Sequence, residues 1–283
     1  MSETAVCNVC FRQCHIKEGE FGFCGARWNV KGEVKSYAYG RLTSMALDPI
    51  EKKPLRRFFP GTKILSIGSY GCNIRCPFCQ NYSITWSKEA YAQSEKLQYF
   101  SPEDVLNIGL GLKEKGNIGI AFTYNEPLIA YEYVRDVAKL FHEHDMKCVL
   151  VSNGEAGLPV LKEILPYIDA MNIDLKGFKK EYYRDVLKGD LAEVLSFIEE
   201  AVKHCHVELT TLIVPRENDS EEEMRQMTRW IASLQNGREV PLHISRFFPQ
   251  FHMTDRKATD VDLIYRLAEI AREELHYVYT GNC

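Results

Sequence analysis

From Lys63 onward, apolar residues fall in short, β-branched runs, each followed by a longer stretch with apolar positions at helical spacing. The runs predict strands at Lys63–Gly68, Asn117–Thr123, Lys147–Ser152, Ala170–Asp174, His206–Val214 and Val240–Arg246, with a seventh at His276–Thr280. Runs with little polar alternation are what a parallel sheet covered on both faces requires. Helices are expected at Leu128–His144, Leu158–Leu165, Leu191–His204 and Val261–Leu275. Two more begin at clear start signals. Ser101-Pro102-Glu103-Asp104 offers an N-cap serine, a first-position proline and acids in the first turn. Ser220 followed by Glu223 has the spacing of a capping box. Six or seven βα units in series predict an α/β fold. A partly or fully closed barrel and an open doubly wound sheet both fit, and both put the active site at the C-terminal ends of the strands.

Residues 1–60 break this pattern. They carry four cysteines, possible hairpins around Lys31–Gly32 and a Pro- and Arg-containing stretch, Asp48–Pro60. We read 1–60 as a Cys-rich module plus a connection, and 61–283 as the βα core. The chain has 283 residues, 45% of them hydrophobic, enough for a sizeable core. Its net charge of −4 argues against a nucleic-acid partner. No apolar run reaches the ~18 residues of a membrane span. Met1–Val6 lacks the basic start and apolar stretch of a signal peptide. A cytoplasmic protein with no membrane partner is expected.

The ten cysteines add chemistry to this picture. Without an export signal, metal binding or catalysis is the better expectation than disulfides. Cys72, Cys76 and Cys79 form Cys-x3-Cys-x2-Cys directly after the first core strand, in a loop with Gly68 and Gly71. Thiolates suit iron–sulfur clusters or zinc. A 4Fe–4S cluster ordinarily takes four cysteines, so three leave one iron open to a substrate. The competing reading is zinc with a distant fourth ligand such as Cys148 or Cys205, in a non-catalytic zinc-binding interaction protein.

The Cys72–Cys79 loop resembles the signature of radical S-adenosylmethionine (SAM) enzymes. The resemblance implies a partial (β/α)6 barrel and a 4Fe–4S cluster whose open iron is chelated by the SAM amino and carboxylate groups. One electron from flavodoxin or ferredoxin then cleaves SAM to a 5′-deoxyadenosyl radical that abstracts hydrogen. Phe78, before the third cysteine, is expected near the adenine. Thr123-Tyr-Asn125-Glu126-Pro127 resembles the family's Gly-Gly-Glu-Pro motif for the SAM amino group, with Tyr124 and Asn125 replacing the glycines. Ser152-Asn153-Gly154 stands where related activases carry Thr-Asn-Gly, and Asn172-Ile-Asp174-Leu-Lys176 resembles their Asp-Leu-Lys segment. His243 and Arg246, on the sixth strand, are further candidates to face SAM or substrate, and Phe247–His252 reads as a loop over the mouth. No catalytic acid or base stands out.

Further segments make the resemblance closer. Cys7–Cys14, Glu18–Arg27, Asp48–Pro54, His243–Pro249 and Tyr277–Asn282 are similar to the radical SAM member of the AmmeMemoRadiSam system, itself similar to pyruvate formate-lyase activating enzymes. That similarity implies hydrogen abstraction from a protein or peptide, with a small-molecule substrate as the alternative. Cys7, Cys10, Cys14 and Cys24 are expected to hold zinc or an auxiliary iron–sulfur cluster, because four close cysteines in a core-poor segment suit a metal staple.

Overall fold

The computed structural model describes residues 3–283. Two antiparallel hairpins come first, β1 (Thr4–Val6) with β2 (His15–Lys17) and β3 (Arg27–Val30) with β4 (Glu33–Ser36). The second turns on Lys31 and Gly32, both left-handed at φ 53° and 81°, as a two-residue type I′ turn requires. Next, β5 (Ser44–Pro49) pairs antiparallel with β6 (Lys63–Gly68). The chain then runs through α1 (Lys88–Gln93), α2 (Pro102–Gly111), β7 (Asn117–Phe122), α3 (Tyr131–Glu143), β8 (Lys147–Ser152) and α4 (Leu158–Ile164). It continues through β9 (Ala170–Asp174), α5 (Leu191–Ala201), β10 (His206–Ile213), α6 (Glu221–Ser233), β11 (Leu242–Arg246), α7 (Val261–Arg272) and β12 (Val278–Gly281).

Strands β6 to β12 lie side by side in chain order, all parallel. A doubly wound sheet needs a point where strand order reverses, and this sheet has none. Its two ends, β5 and β12, do not hydrogen-bond to each other among the described residues. The fold is therefore an α/β partial barrel of six βα units, closed by a last strand at one edge and β5 at the other. Strand β5 was not expected, because Asp48–Pro60 reads as a connection. Its terminal Pro49 is tolerated because the strand is an edge.

Alternation along the strands separates the two faces. Ile120, Cys148, Leu150, Met171 and Ile173 pack outward under the helices. Ile64, Ala121, Val149 and Ala170 point inward, where Ile50, Leu55 and Phe58 from the segment after β5 plug the barrel floor. Asp48–Pro60 is thus more than a tether. Ser101 and Asp104 make the reciprocal capping box. Ser220 accepts from the Glu223 amide, but the Glu223 carboxylate turns away to Phe178 N (2.8 Å) and Lys179 (2.8 Å), so that box stays half made. No helix among the described residues is long and apolar enough to cross a membrane.

Candidate active site

A cavity of about 500 Å³ opens at the C-terminal ends of the strands. Cys72, Cys76, Cys79, Phe78, Asn125, Glu126, Ser152, Asn153, Asp174, Lys176 and His243 all line it. Glu51 and Lys52, just past β5, and Tyr279–Asn282, on β12 and after it, line it from the two sheet edges. Arg246 does not. His243 and Ser245 face inward on β11, so alternation turns Arg246 outward, where its Nε donates to Thr259 O (2.7 Å) and it stacks over Phe248. A wider depression of about 700 Å³, near His142 and Asp169, sits by the N-terminal ends of β8 and β9 and holds none of the cysteines.

The cysteine loop is stitched in place by amides. Asn125 accepts from Ser69 N (2.9 Å) and donates to Tyr70 O (3.2 Å) and Gly71 O (3.3 Å), so its side chain serves the loop. Gly71 is left-handed (φ 86°), and a Cβ there would lie 2.6 Å from Cys24 O, so only glycine fits. Asn153 donates to Cys72 Sγ (3.7 Å) and to Asn73 Oδ1 (2.9 Å). Cys79 Sγ meets Thr85 Oγ1 at 3.3 Å. The segment expected over the mouth does dock here: Gln250 donates to Phe78 O (3.0 Å) and the His252 amide to Pro77 O (2.8 Å). Burial pushes the Cys76 thiol up to about 12 although Lys176 pulls it down. Burial, then the Glu126 charge, push Cys72 higher as well.

Glu126 is buried with its carboxylate facing Ser152 Oγ (2.9 Å), Asn153 N (2.8 Å) and Leu128 N (3.0 Å). Burial raises it to about 7 despite those donors. A cation beside it would restore its charge at neutral pH. Lys176 Nζ pairs with Asp174 at 2.6 Å. Burial works to neutralise this lysine, but Asp174 and the Cys76 sulfur outweigh it and raise the lysine's pKa.

Two groups escaped sequence reasoning. Tyr124 takes the left-handed turn (φ 72°) that suits the glycine it replaces. Its hydroxyl donates to Asp48 (2.8 Å), which also pairs with buried Lys53 (2.9 Å), and this anchor offsets the backbone strain. Glu208, wholly buried on β10, accepts from His243 Nε2 (2.6 Å), His206 Nε2 (3.0 Å) and the amides of Arg56 (3.0 Å) and Arg57 (2.7 Å). Burial opposes its charge, yet the two histidines and two amides hold its pKa down at about 2. An acid at an inward position of an otherwise apolar strand was the available signal; His243, which pairs in register with Thr210, reaches it diagonally from the next strand.

A third acid, Glu155, lies under the cysteine loop and accepts from Asp190 N (3.0 and 2.9 Å). Burial raises it to about 8 from 4.5, against that amide; Asp190 and Glu193 add to the rise and Arg12 opposes it. The folded chain therefore holds this proton more tightly than the unfolded chain. The resulting stability is full below about 4.5 and is lost as pH rises towards about 8. Glu155→Gln is expected to flatten the fall in the urea midpoint between those limits; an unchanged slope would contradict this.

In the amino-terminal segment, the Cys7 amide donates to Cys14 O (2.9 Å) and the Gln13 amide to Cys10 O (3.2 Å). Burial pushes the Cys10 thiol up to about 12, the Arg12 amide aimed at its sulfur opposes this, and Cys24, Cys7 and Cys14 all bear on it. Cys148 is buried beneath α3, donating to Ala138 O (3.4 Å); Cys283 is exposed.

The fold and site define an α/β partial-barrel protein with three cysteines gathered on one loop at the strand ends. Known proteins agree. Residues 66–228 match the Radical SAM superfamily. An uncharacterized protein of Methanocaldococcus jannaschii is 39% identical over 98% of this chain and 80% of its own length. The pyruvate formate-lyase-activating enzyme of Clostridium pasteurianum is 25% identical over 71% of this chain and 80% of its own. Among solved structures, Streptococcus suis SuiB superposes with a TM-score of 0.58 at 13% identity, covering 76% of this chain and 48% of SuiB. The chain belongs to the Radical SAM superfamily, and is similar to pyruvate formate-lyase activating enzyme. Its members are enzymes that use a 4Fe–4S cluster and SAM, which sets aside the non-catalytic zinc reading.

The residues present fit that group. Three thiols share one cavity wall on one glycine-flanked loop, with the Ile74 amide aimed at Cys72. Among the described residues no three Cys, His, Asp or Glu side chains converge as in an assembled metal site. The three sulfurs stand on the single stretch Cys72–Cys79, and rotation about Cα–Cβ is open to each.

Proposed function

We propose that Cys72, Cys76 and Cys79 ligate a 4Fe–4S cluster and leave its fourth iron to SAM. The observation that carries this is the number and placement of the thiols: three on the cavity wall, with buried Glu126 opposite. The cluster, once bound, supplies the electron that cleaves SAM to methionine and a 5′-deoxyadenosyl radical. Glu126 receives the SAM amino group, Ser152 and Asn153 hold the strand ends around it, and Lys176, paired with Asp174, faces the carboxylate. Phe78 packs against the adenine. Asn125 keeps the cysteine loop in shape. His243, set by Glu208 and stacked on Tyr279 (5.2 Å between centroids), faces the far end of the cavity, where substrate binds.

The substrate is a protein or peptide from which hydrogen is abstracted, as by a glycyl-radical activase, with a small molecule as the alternative. The likeness to the Clostridium enzyme supports the first. Flavodoxin or ferredoxin supplies the electron, in the cytoplasm. Residues 61–283 carry the chemistry and residues 1–60 support it. The test is anaerobic reconstitution followed by electron paramagnetic resonance of the reduced protein. Adding SAM should change the spectrum, because it binds the open iron directly. A spectrum indifferent to SAM would sink the reading.

A further inference from the structure

The amino-terminal thiols and the Cys72 loop are built into one another. Arg12, between Cys10 and Cys14, donates from Nε to Asn73 O (2.6 Å) and from its terminal nitrogen to Lys188 O. Arg75, between Cys72 and Cys76, donates to Phe23 O and to Cys72 O (2.7 Å). Each cysteine loop thus sends an arginine into the backbone of the other. The Phe23 ring, one residue before Cys24, lies between the two guanidinium groups, 3.5 Å from Arg12 and 3.9 Å from Arg75. The loops also touch directly, since no Cβ fits between Gly71 and Cys24 O.

The donor set of the first loop suits one ion. Cys7 and Cys24 are buried, and none of the four thiols lines the cavity. The Cys7 amide donates to Cys14 O (2.9 Å) and the Gln13 amide to Cys10 O (3.2 Å), so the backbone folds the first three cysteines into one turn, while Cys24 O abuts Gly71 of the neighbouring loop. A closed all-sulfur tetrahedron of four cysteines suits zinc.

We propose that Cys7, Cys10, Cys14 and Cys24 bind one zinc ion, and that this ion holds the neighbouring cysteine loop in shape through Arg12, Phe23 and Arg75. The second half rests on the cluster assignment made above. These three side chains are positioning residues: they touch neither SAM nor substrate, and they fix the backbone on which Cys72 and Cys76 stand. Outer partners of a metal site commonly carry roughly ten- to a hundredfold of its affinity.

The test uses the full chain, reconstituted anaerobically, with zinc and iron counted by mass spectrometry and iron loss to a chelator timed by visible absorbance. Wild-type protein should hold one zinc beside its iron. Cys10→Ser should lose the zinc, still take up iron, and release it about tenfold faster. Phe23→Leu and Arg12→Gln keep every cysteine; they should keep the zinc and share the faster iron loss, and they remain informative if Cys10→Ser fails to fold. Wild-type protein without zinc, or Cys10→Ser depleted of iron in place of zinc, would overturn the zinc site. Unchanged iron loss in the Phe23 and Arg12 variants would overturn the clamp. Zinc without iron in every protein would instead overturn the cluster assignment, and the clamp with it.

Discussion

Cys76→Ala should yield a folded chain that no longer makes 5′-deoxyadenosine. Cys76 is the middle thiol of the three and is buried on the cavity wall. Alanine keeps the Cβ and removes one sulfur, so the packing cost should stay near about 1 kcal/mol, an ordinary point-mutant value. The chemical cost is far larger, because a four-iron cube on two thiolates has neither the charge balance nor the grip to persist. Product formation with dithionite as reductant, read by mass spectrometry, should fall by more than about a hundredfold, beyond the effect of losing an outer-shell partner. Cys148→Ala is the control. Cys148 is equally buried, but beneath α3 on the opposite face of the sheet. Product that survives in Cys76→Ala, or vanishes in Cys148→Ala, would contradict the assignment.

Glu208→Ala should cost the fold more than any other single polar change in the barrel. The substitution strands four donors at once: His206, His243 and the amides of Arg56 and Arg57. Removing one partner of a buried charged group typically costs about 3–5 kcal/mol. The loss should appear as a lower urea midpoint with an unchanged slope. Glu208→Gln keeps one acceptor oxygen and should lose roughly half as much, since an amide nitrogen would then face a donor. Because Glu208 fixes both the barrel floor and His243, we expect SAM cleavage in the alanine variant to become uncoupled from substrate. Unaltered stability in Glu208→Ala would show that water replaces the carboxylate.

The strand runs that were legible in the sequence are those buried on both faces. Lys63–Gly68, Lys147–Ser152 and Ala170–Asp174 sit where their apolar runs place them, because burial on both sides leaves a continuous pattern. Strand β5 was not legible: it is an edge, half exposed, and ends in Pro49, after which Glu51-Lys52-Lys53-Pro54 reads as a tether. The spacing of Cys72, Cys76 and Cys79 pointed to the cavity before any geometry was known. Arg246 was named as a candidate on the sixth strand, but alternation with Ser245 turns it away from the cavity, where it bonds Thr259 O. The partners of Glu208 and of Tyr124, and the Arg12–Phe23–Arg75 sandwich, were out of reach for another reason. Each joins residues far apart in the chain, such as Tyr124 with Asp48, and no local pattern marks a pair that only the folded barrel brings together.

The two sheet margins are not hydrogen-bonded to each other among the described residues, and Glu51 and Lys52 by one and Tyr279–Asn282 by the other line the cavity. Towards the barrel floor Arg57 bridges them, donating to the Tyr277 hydroxyl (3.0 Å) and stacking on its ring (3.9 Å). Access from that side is thereby confined to the cavity end, where the protein or peptide substrate proposed above would need to present only one loop.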